Sequence, residues 1–510
     1  MGKANLDSDE MQSSSESGRP EGIGVLTSKA SAGAVWTIAG HGGEQVVRLA
    51  SNLIVTRLLL AEYFGLMALV SVFLIGLQLF SDIGIGPALV QNKREDPGFV
   101  NTVWTIQVFR GLALCSIAFP LAPLFASFYD EPVLTALIRV SALTAAIRGF
   151  TSTSFYTQTR HLQLKGPVVV QFVSQLAGTV VMVGWAWVTR SVWSLVTSGI
   201  VASLVLMVLS HVWLPGIRNR FHFERRAARS LFVFGSWIFL STVATFAANQ
   251  VDRLIFGKLT TMTMLGVYSI AVMLALAPTQ ALSTVSNRVL FPLYTRVHHS
   301  PEDLPSMFRT ARWPLLVLGG WAIAGLIGGG PTIIELLYDS RYWEAGWMLQ
   351  IIASGLWFGI VLSGTYGAVV LAVGRSDWNA SMSLSKVFGM VACIPLGYWL
   401  AGFPGAVGGL AMSELVRYCI AVYGAKGLGF DERREDLAFT VRVAISALGG
   451  WASVAGPREL GVTHIVLHAL LVFVVVTAFW ARPFINLIAR VRREKSFFGD
   501  AGALSKANGV

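Results

Sequence analysis

Apolar residues in this chain form blocks of about 20 to 28 positions, and short polar breaks separate the blocks. A run of about 20 apolar residues is long enough to cross a bilayer as an α-helix. A membrane β-barrel would show alternating segments of about ten residues, but no sustained period of two is present. The pattern therefore predicts an all-α, polytopic membrane protein with fourteen spans. The predicted spans are approximately 31–58, 64–90, 100–127, 133–157, 167–188, 192–214, 229–251, 262–287, 312–337, 345–372, 378–400, 405–424, 437–455 and 462–482.

The composition supports a membrane protein, since 54% of the 510 residues are hydrophobic and only 13% are charged. A soluble domain carries about 25% charged residues. The net charge of +11 is a feature of many nucleic-acid-binding proteins, but the basic residues here lie in short breaks between apolar blocks. We therefore expect no nucleic-acid partner. The segment 1–22 is rich in Ser, Asp, Glu and Gly, which predicts a disordered tail without a signal peptide.

Lysine and arginine in the short breaks predict the orientation, because such residues favour the cytoplasmic side. The breaks after even-numbered spans are basic, for example at Arg218, Arg225 and Arg226, whereas those after odd-numbered spans carry few basic residues. Both termini, including a basic tail at 485–510, are therefore predicted to lie in the cytoplasm of a bacterial inner-membrane protein. This orientation requires an even number of spans, so twelve remains an alternative to fourteen.

An internal repeat is visible at an offset of 201 residues. The matching residues are Trp36, Arg57 and Phe64-Gly65-Leu66 with Trp237, Lys258 and Leu265-Gly266-Val267. The repeat predicts two parallel six-helix lobes, an N-lobe at 23–228 and a C-lobe at 229–424, followed by two helices at 425–484. Parallel repeats are a transporter architecture with the substrate site between the halves. The alternative is chance similarity between apolar segments.

Several predicted spans carry ionisable side chains at membrane depth, where each charge costs a few kcal/mol or more. The candidate substrate-binding cations are Arg48, Arg110, Arg148, Lys386 and Arg417. The candidate ion-coupling acids are Glu44, Glu414 and, near the outer end of the seventh span, Asp252. A cavity with more cations than anions attracts an anion, and guanidinium groups suit phosphate. The alternative is that Glu44 with Arg48, and Glu414 with Arg417, only neutralise each other within a helix.

The repeat also suggests a charged gate, because it pairs Arg57 with Lys258 at the outer ends of the first and seventh spans. Like charges resist close approach, so these residues are predicted to bias an outer gate towards opening. The effect is expected to be about 1 kcal/mol or less near water.

Motifs for cofactor or metal chemistry are missing from the sequence. No Gly-Lys-Ser/Thr phosphate loop, His-Glu-x-x-His zinc motif or Gly-x-Ser-x-Gly nucleophile motif occurs. Cys115, Cys393 and Cys419 lie inside apolar segments and are interpreted as buried thiols. We therefore expect neither a cofactor nor a metal, and no enzymatic activity.

Three groups of stretches resemble Wzx-type polysaccharide flippases. The first group is Arg57-Leu58-Leu59-Leu60-Ala61-Glu62-Tyr63-Phe64-Gly65, Asp82-Ile83-Gly84-Ile85-Gly86 and Ala88-Leu89-Val90-Gln91. The second is Asp252-Arg253-Leu254-Ile255-Phe256-Gly257-Lys258, Leu265-Gly266-Val267-Tyr268 with Pro278, and Arg288-Val289-Leu290-Phe291-Pro292. The third is Leu336-Leu337-Tyr338-Asp339 with Trp343 and Leu349-Gln350-Ile351. Together they span roughly residues 30 to 425 and most resemble the colanic-acid-type exopolysaccharide exporters. Ala61-Glu62-Tyr63 departs from the family, which often has Pro and Asp before Phe-Gly.

The resemblance implies a member of the multidrug/oligosaccharidyl-lipid/polysaccharide exporter superfamily, in which two six-helix lobes rock around a central cavity. It implies a substrate in which an oligosaccharide is linked to undecaprenyl diphosphate and is flipped to the periplasmic leaflet for exopolysaccharide or lipopolysaccharide synthesis. It also implies an ion gradient of protons or sodium, with Glu44, Asp252 or Glu414 as carriers. Expected partners are the lipid bilayer and other membrane proteins of polysaccharide assembly.

Three other functions remain open from the sequence. A multidrug cation exporter of the same superfamily would favour an anionic cavity, whereas the charged side chains deep in the predicted spans are mostly positive. A membrane-embedded polysaccharide polymerase tends to have a large periplasmic loop, and no outer break is long. A structural membrane subunit would explain neither the repeat nor the buried arginines.

Overall fold

The fold is that of a computed structural model of the chain. The structure describes residues 23–81, 89, 96–161, 163–286, 290, 293–295, 303–459 and 464–507. The described residues are almost entirely helical, and no strand occurs among them. The predicted disordered tail at 1–22 lies outside the described residues, as does most of the predicted family stretch at 82–91.

Seven helices are described in the first half of the chain. They are α1 (Ile23–Leu58), α2 (Ala61–Phe80), α3 (Pro97–Phe128), α4 (Val133–Gly149), α5 (Ser154–Arg160), α6 (Lys165–Thr189) and α7 (Trp193–Val212). The start of α3 shows how the sequence sets a boundary, because the Asp96 side chain accepts a hydrogen bond from the backbone N–H of Phe99. Pro97 then occupies the first turn, where its missing N–H is not needed.

Eight helices follow among the described residues of the second half. They are α8 (Arg225–Leu259), α9 (Met262–Val285), α10 (Asp303–Leu337), α11 (Ala345–Leu356), α12 (Ser363–Ala372), α13 (Ser376–Gly427), α14 (Arg433–Glu459) and α15 (Ile465–Ala507). A π-helical segment, Trp357–Leu362, joins α11 to α12. The long α13 is two helices joined at a kink, where Gly402 has a φ of 62° that other residues rarely adopt.

Ten described helices are long and apolar enough to cross a membrane, or eleven if α4 and α5, which are bent by 58°, form one span. Each predicted span overlaps a helix, and α13 contains two of them. The all-α, multi-pass architecture is therefore confirmed. The number fourteen stays a prediction, because α1 and α8 are not among the helices that meet the length and hydropathy criteria.

Some predicted helix boundaries were wrong, because helical segments that contain charged residues were assigned to the breaks between spans. The helix α10 begins at Asp303 and not near 312, so the break before it is shorter than predicted. The helix α8 begins at Arg225, before the predicted lobe boundary at 228, and runs to Leu259. At the C-terminus, α15 continues to Ala507 through the segment predicted to be a basic tail. Hydropathy marks where a helix leaves the membrane and not where it ends.

The repeat has a direct structural counterpart where α2 crosses α9. A Cβ atom on Gly65 would lie 1.9 Å from the carbonyl oxygen of Met262, and one on Gly266 would lie 1.8 Å from the carbonyl oxygen of Ala61. The offset of 201 residues pairs Gly65 with Gly266 and Ala61 with Met262, so the two contacts are reciprocal. Only glycine allows backbones to approach this closely. The lobes therefore meet on a local two-fold relation at the predicted outer end.

Charged residues also join the lobes at this end. Lys258 of α8 lies 2.7 Å from Asp130 and donates a hydrogen bond to the carbonyl oxygen of Phe128. Arg341, after α10, donates hydrogen bonds to the carbonyl oxygens of Thr56 and Leu59 at the end of α1. The predicted repulsion that biases this end towards opening is absent from the structure, because Lys258 pairs with an acid of the other lobe.

Candidate functional site

The N-lobe contains a cavity of about 550 Å³ between α2 and α7. Two of the predicted site cations, Arg110 of α3 and Arg148 of α4, line it together. Gln107 precedes Arg110 by three positions, so both side chains lie on one face of α3. The remaining lining residues are Gln78, Gly111, Leu114, Ala145, Gly149, Thr151, Phe155, Tyr156, Gln171 and Leu206. The described lining is thus rich in guanidinium and amide groups.

Both arginines are oriented by hydrogen bonds within the N-lobe. Arg110 donates from Nη2 to the carbonyl oxygen of Gln78 at 2.6 Å and from Nε to Ser81 Oγ at 2.9 Å. These acceptors lie at the C-terminal end of α2, where the helix dipole favours a cation. Arg148 donates from Nε to Ser203 Oγ of α7 at 3.2 Å, and its side chain is exposed to the cavity. Guanidinium donors of both residues are therefore held at the cavity wall.

Gln107 fixes the position of Arg148 from the opposite helix. Its Nε2 atom donates to the carbonyl oxygens of Gly149 and Thr151, each at 3.0 Å, which satisfies backbone acceptors where α4 ends. The two helices also approach closely, since a Cβ atom on Gly111 would lie 2.6 Å from the carbonyl oxygen of Ala145. The bend after α4 is thus held by α3, and Arg148 sits in its last turn.

A second group of predicted residues lies in the C-lobe, around a small cavity of about 110 Å³. Lys386 Nζ lies 2.6 Å from Glu414 Oε1, and Arg417 Nη1 lies 3.8 Å from Glu414 Oε2. Glu414 is buried and packs against the π-helical segment Trp357–Leu362, where a Cβ atom on Gly359 would lie 1.9 Å from its Oε2 atom. The alternative that Glu414 neutralises Arg417 therefore has structural support, and Lys386 shares the same acid.

Asp252 lines the same C-lobe cavity and is buried. Its carboxylate accepts a hydrogen bond of 2.5 Å from the hydroxyl group of Tyr268. The sequence placed Asp252 at the end of the seventh span, but α8 continues to Leu259, so Asp252 lies inside the helix. This acid is held by a neutral partner and not by a cation at hydrogen-bonding distance among the described residues.

Glu44 and Arg48 of α1 are placed differently from the other predicted site residues. Glu44 is buried and Arg48 is exposed, and neither is among the residues that line the N-lobe or C-lobe cavity. On the same face of α1 as Arg48, Gln45 donates to Gln280 at 3.0 Å and Asn52 accepts from Tyr338 at 3.0 Å. Both partners belong to the C-lobe. Arg48 therefore lies on the face of α1 that points towards the other lobe.

The structure divides the predicted cations instead of gathering them in one place. Arg110 and Arg148 line the N-lobe cavity, whereas Lys386 and Arg417 lie beside Glu414 in the C-lobe. Sequence reasoning missed Gln78 and Gln171, which complete the amide lining of the N-lobe cavity. Glutamines within apolar spans are the signal that would have found them.

Comparisons with known proteins agree with this architecture. Residues 54–346 match a family model described as "Polysaccharide biosynthesis protein". Lipopolysaccharide biosynthesis protein WzxC of Escherichia coli (strain K12) is 21% identical, over 78% of this chain and 81% of that protein. Succinoglycan biosynthesis transport protein ExoT of Rhizobium meliloti (strain 1021) is 25% identical, over 61% of this chain and 63% of that protein. A structure of lipid II flippase MurJ in an inward closed conformation is similar with a TM-score of 0.67, covering 89% of this chain and 100% of that chain at 12% identity.

Proposed function

Because this chain belongs to the polysaccharide biosynthesis protein family, we propose that it moves a lipid-linked oligosaccharide from the cytoplasmic to the periplasmic leaflet of a bacterial inner membrane. The resemblance to Wzx-type flippases is confirmed by the family match and by WzxC and ExoT. The names of these relatives describe polysaccharide biosynthesis and transport, so the function assigned here is transport and not catalysis. The substrate and the bilayer are its partners, together with other membrane proteins of polysaccharide assembly.

The observation that carries this proposal is the joint placement of Arg110 and Arg148 on one cavity wall in the N-lobe. A lipid-linked oligosaccharide carries a diphosphate that must leave the aqueous headgroup region during transfer. Guanidinium groups keep their charge when desolvated and bind phosphate oxygens through two parallel hydrogen bonds. The N-lobe cavity therefore offers positive charge and hydrogen-bond donors, which replace the hydration that an anionic diphosphate loses when it leaves water.

The same placement argues against a multidrug cation exporter. An organic cation would enter the N-lobe cavity against two guanidinium charges. A polysaccharide polymerase would need groups for glycosyl transfer near the arginines, and the described lining supplies amides, hydroxyls and apolar side chains instead. Transport of an anionic headgroup is the function that uses these residues.

Alternating access between the lobes is the mechanism that we propose. The closed contact of Gly65 with Gly266 supports it, because this contact lies on the two-fold relation between the lobes and blocks the predicted outer end. Rocking of the lobes about the site opens one end as the other closes. From the basic loops we propose that both termini lie in the cytoplasm. A reporter that is active only outside the cytoplasm should be active at Asp339, and a silent reporter there would contradict the orientation.

Asp252 is the ion-coupling residue that we propose, with a proton or sodium as the coupling ion. Glu414 is less suited, because Lys386 already occupies one of its oxygens at 2.6 Å. Asp252 has only the Tyr268 hydroxyl at hydrogen-bonding distance among the described residues. We expect Asp252→Asn to make transport independent of the ion gradient, while Asp377→Asn, which removes an exposed acid paired with Arg375, keeps the dependence. Gradient-dependent transport by Asp252→Asn would exclude this assignment.

The function is tested by replacing the cavity arginines in cells that depend on the chain for polymer export. Arg148→Ala should reduce export at least about tenfold at normal protein levels, since a charge-assisted phosphate contact is lost. Arg148→Lys should restore part of the export, because lysine keeps the charge but not the two parallel hydrogen bonds. Arg139→Ala is the matched control, since Arg139 lies on α4 and donates instead to the carbonyl oxygen of Phe119.

The cells also show which step fails. Loss of flipping should make the lipid-linked oligosaccharide accumulate in the cytoplasmic leaflet of the Arg148→Ala strain. Full export by both Arg110→Ala and Arg148→Ala, at normal protein levels, would refute the proposed site.

A further inference from the structure

The C-lobe has a second cavity, of about 280 Å³. Arg417 is the one predicted substrate-binding cation among its described lining residues. Its walls come from the end of α9, from α10, from the π-helical segment with α12, and from both halves of α13. In the repeat these elements correspond, in the same order, to α2, to α3, to α4 with α5, and to α6 and α7. Those N-lobe elements line the N-lobe cavity. The two cavities are therefore equivalent positions in the two lobes. We call this one the hydroxyl cavity.

The chemistry of the hydroxyl cavity differs from that of its N-lobe counterpart. Its polar lining residues are Ser283, Ser286, Ser363, Thr365 and Asn379, with Arg417 at one side. Arg417 is shared with Glu414, which lies 3.8 Å away. The N-lobe cavity instead has two arginines and three glutamines. One lobe thus offers charge, and the other offers neutral hydroxyl and amide groups.

Glycines and an irregular helix keep the hydroxyl cavity open. The π-helical segment Trp357–Leu362 ends directly before Ser363, and such segments are frequent at functional sites. A Cβ atom on Gly364 would meet no atom within 4 Å. One on Gly367 would meet only Met382 at 3.5 Å and Asn379 at 3.7 Å. The absence of side chains at these positions leaves space in an otherwise packed helix.

A buried hydroxyl group in this cavity has no partner among the described residues. Ser286 is 7% exposed, and no described residue makes a hydrogen bond with its Oγ atom. A buried polar group without a hydrogen bond costs free energy, and an apolar residue would avoid that cost. Retaining a serine here is favourable if a ligand with its own hydroxyl groups completes the hydrogen bond.

We propose that the hydroxyl cavity binds a neutral sugar unit of the lipid-linked oligosaccharide while the N-lobe arginines bind its diphosphate. This inference rests on the proposed function and deepens it. Each sugar hydroxyl group can both donate and accept hydrogen bonds, as serine, threonine and asparagine side chains can. A second phosphate would find only Arg417, already beside a carboxylate, and an apolar ligand would leave Ser286 unpaired. The lobes thereby divide the recognition of one substrate.

The test measures binding of two lipids to the purified full-length protein in detergent. One probe is undecaprenyl diphosphate, and the other is the undecaprenyl-diphosphate-linked oligosaccharide extracted from cells that make this chain. The protein should bind the second probe about tenfold or more tightly than the first, because only the second fills the hydroxyl cavity. Gly364→Leu should remove this difference by filling the cavity, while leaving the binding of undecaprenyl diphosphate unchanged. Gly184→Leu is the matched control, since Gly184 is exposed on α6 and a Cβ atom there meets nothing within 4 Å.

Ser286→Ala gives an independent measurement that does not depend on tolerating a larger side chain. We expect a thermal midpoint at or above that of the wild type, because an unpaired buried hydroxyl is removed, together with about fivefold or greater loss of oligosaccharide-lipid binding. A merely structural serine would change stability and not this binding preference. If Gly364→Leu and Ser286→Ala both keep the wild-type preference, the sugar site is refuted and the flippase proposal stands. If the wild type binds neither probe, the proposed function itself fails.

Discussion

Adding a methyl group to both glycines where the lobes touch should force the predicted outer end apart. In Gly65→Ala with Gly266→Ala, each new Cβ atom would lie less than 2 Å from a carbonyl oxygen of the other lobe. Ordinary contacts need about 3.5 Å, so α2 and α9 must separate by roughly 1.5 Å. The obstacle is backbone on both sides, so no side-chain rotation can relieve it. Overpacking of this kind costs about 1–3 kcal/mol.

That cost falls only on conformations in which this end is closed, so it shifts the balance between closed and open forms. A change of about 1–3 kcal/mol corresponds to a shift of roughly 5- to 150-fold in the ratio of the two forms. The shift can be followed with spin labels at Arg190, after α6, and at Trp343, before α11, which lie on different lobes. The background should lack Cys115, Cys393 and Cys419, which are all free thiols.

We expect the double variant to gain a longer and broader distance distribution between the two labels. Gly184→Ala is the control, because a Cβ atom at this position meets nothing within 4 Å. The reasoning would be refuted if the double variant, folded and inserted, kept the single distance of the wild type. In that case the glycine contact would be incidental to any opening of the lobes.

Two further predictions concern charged pairs. Arg312→Ala should destabilise the protein by about 3–5 kcal/mol, because it leaves Asp436 buried without its ion pair, whereas Arg375→Ala should change the thermal midpoint little, because its pair with Asp377 is exposed. Equal midpoints for the two variants would contradict this. Hydrogen bonds from Arg341 lower the pKa of Asp339, so the stability from this pair is complete above the ordinary carboxyl value of 3.8 and is lost as the pH falls below it. The thermal unfolding midpoints of the wild type and of Asp339→Asn should therefore differ by a constant amount from pH 5 to 8 and converge only below about pH 3.8. Convergence of the two midpoints already near pH 6 would contradict this assignment.

The sequence predicted the spans well where apolar residues are continuous and predicted them poorly where charges are buried. Arg312 is the first residue of a predicted span, and Asp436 lies just before another. In the structure they form a fully buried ion pair, and Tyr366 and Tyr418 donate hydrogen bonds to Asp436 at 2.6 and 2.8 Å. Each charge alone has the hydropathy of a loop residue. The two charges can be buried only because they pair with each other, although they are 124 positions apart in the chain. A single sequence does not reveal this pairing.

The candidate site was predictable in part for the same reason. Gln107 and Arg110 share a face of α3 because they are three positions apart, and the helical period alone gives that result. Their meeting with Arg148 depends on the packing of α3 against α4, and the pairing of Lys386 with Glu414 depends on the kink in α13. Adding up cations along the sequence therefore overstated the charge of any one cavity. The split between the lobes is a property of the fold.

The difference between two arginines of the helical bundle, Arg312 and Arg148, is the strongest argument that the N-lobe site binds a ligand. Arg312 is enclosed by an acid, by the Tyr366 hydroxyl and by the rings of Phe308 and Tyr366, so its charge is balanced within the protein. Arg148 makes one side-chain hydrogen bond among the described residues, to a serine, and is otherwise exposed to a cavity. A protein that balances one intramembrane cation so completely is able to balance another. We therefore expect the counter-charge of Arg148 to come from a bound ligand, and a diphosphate that enters the cavity is an anion of the required kind.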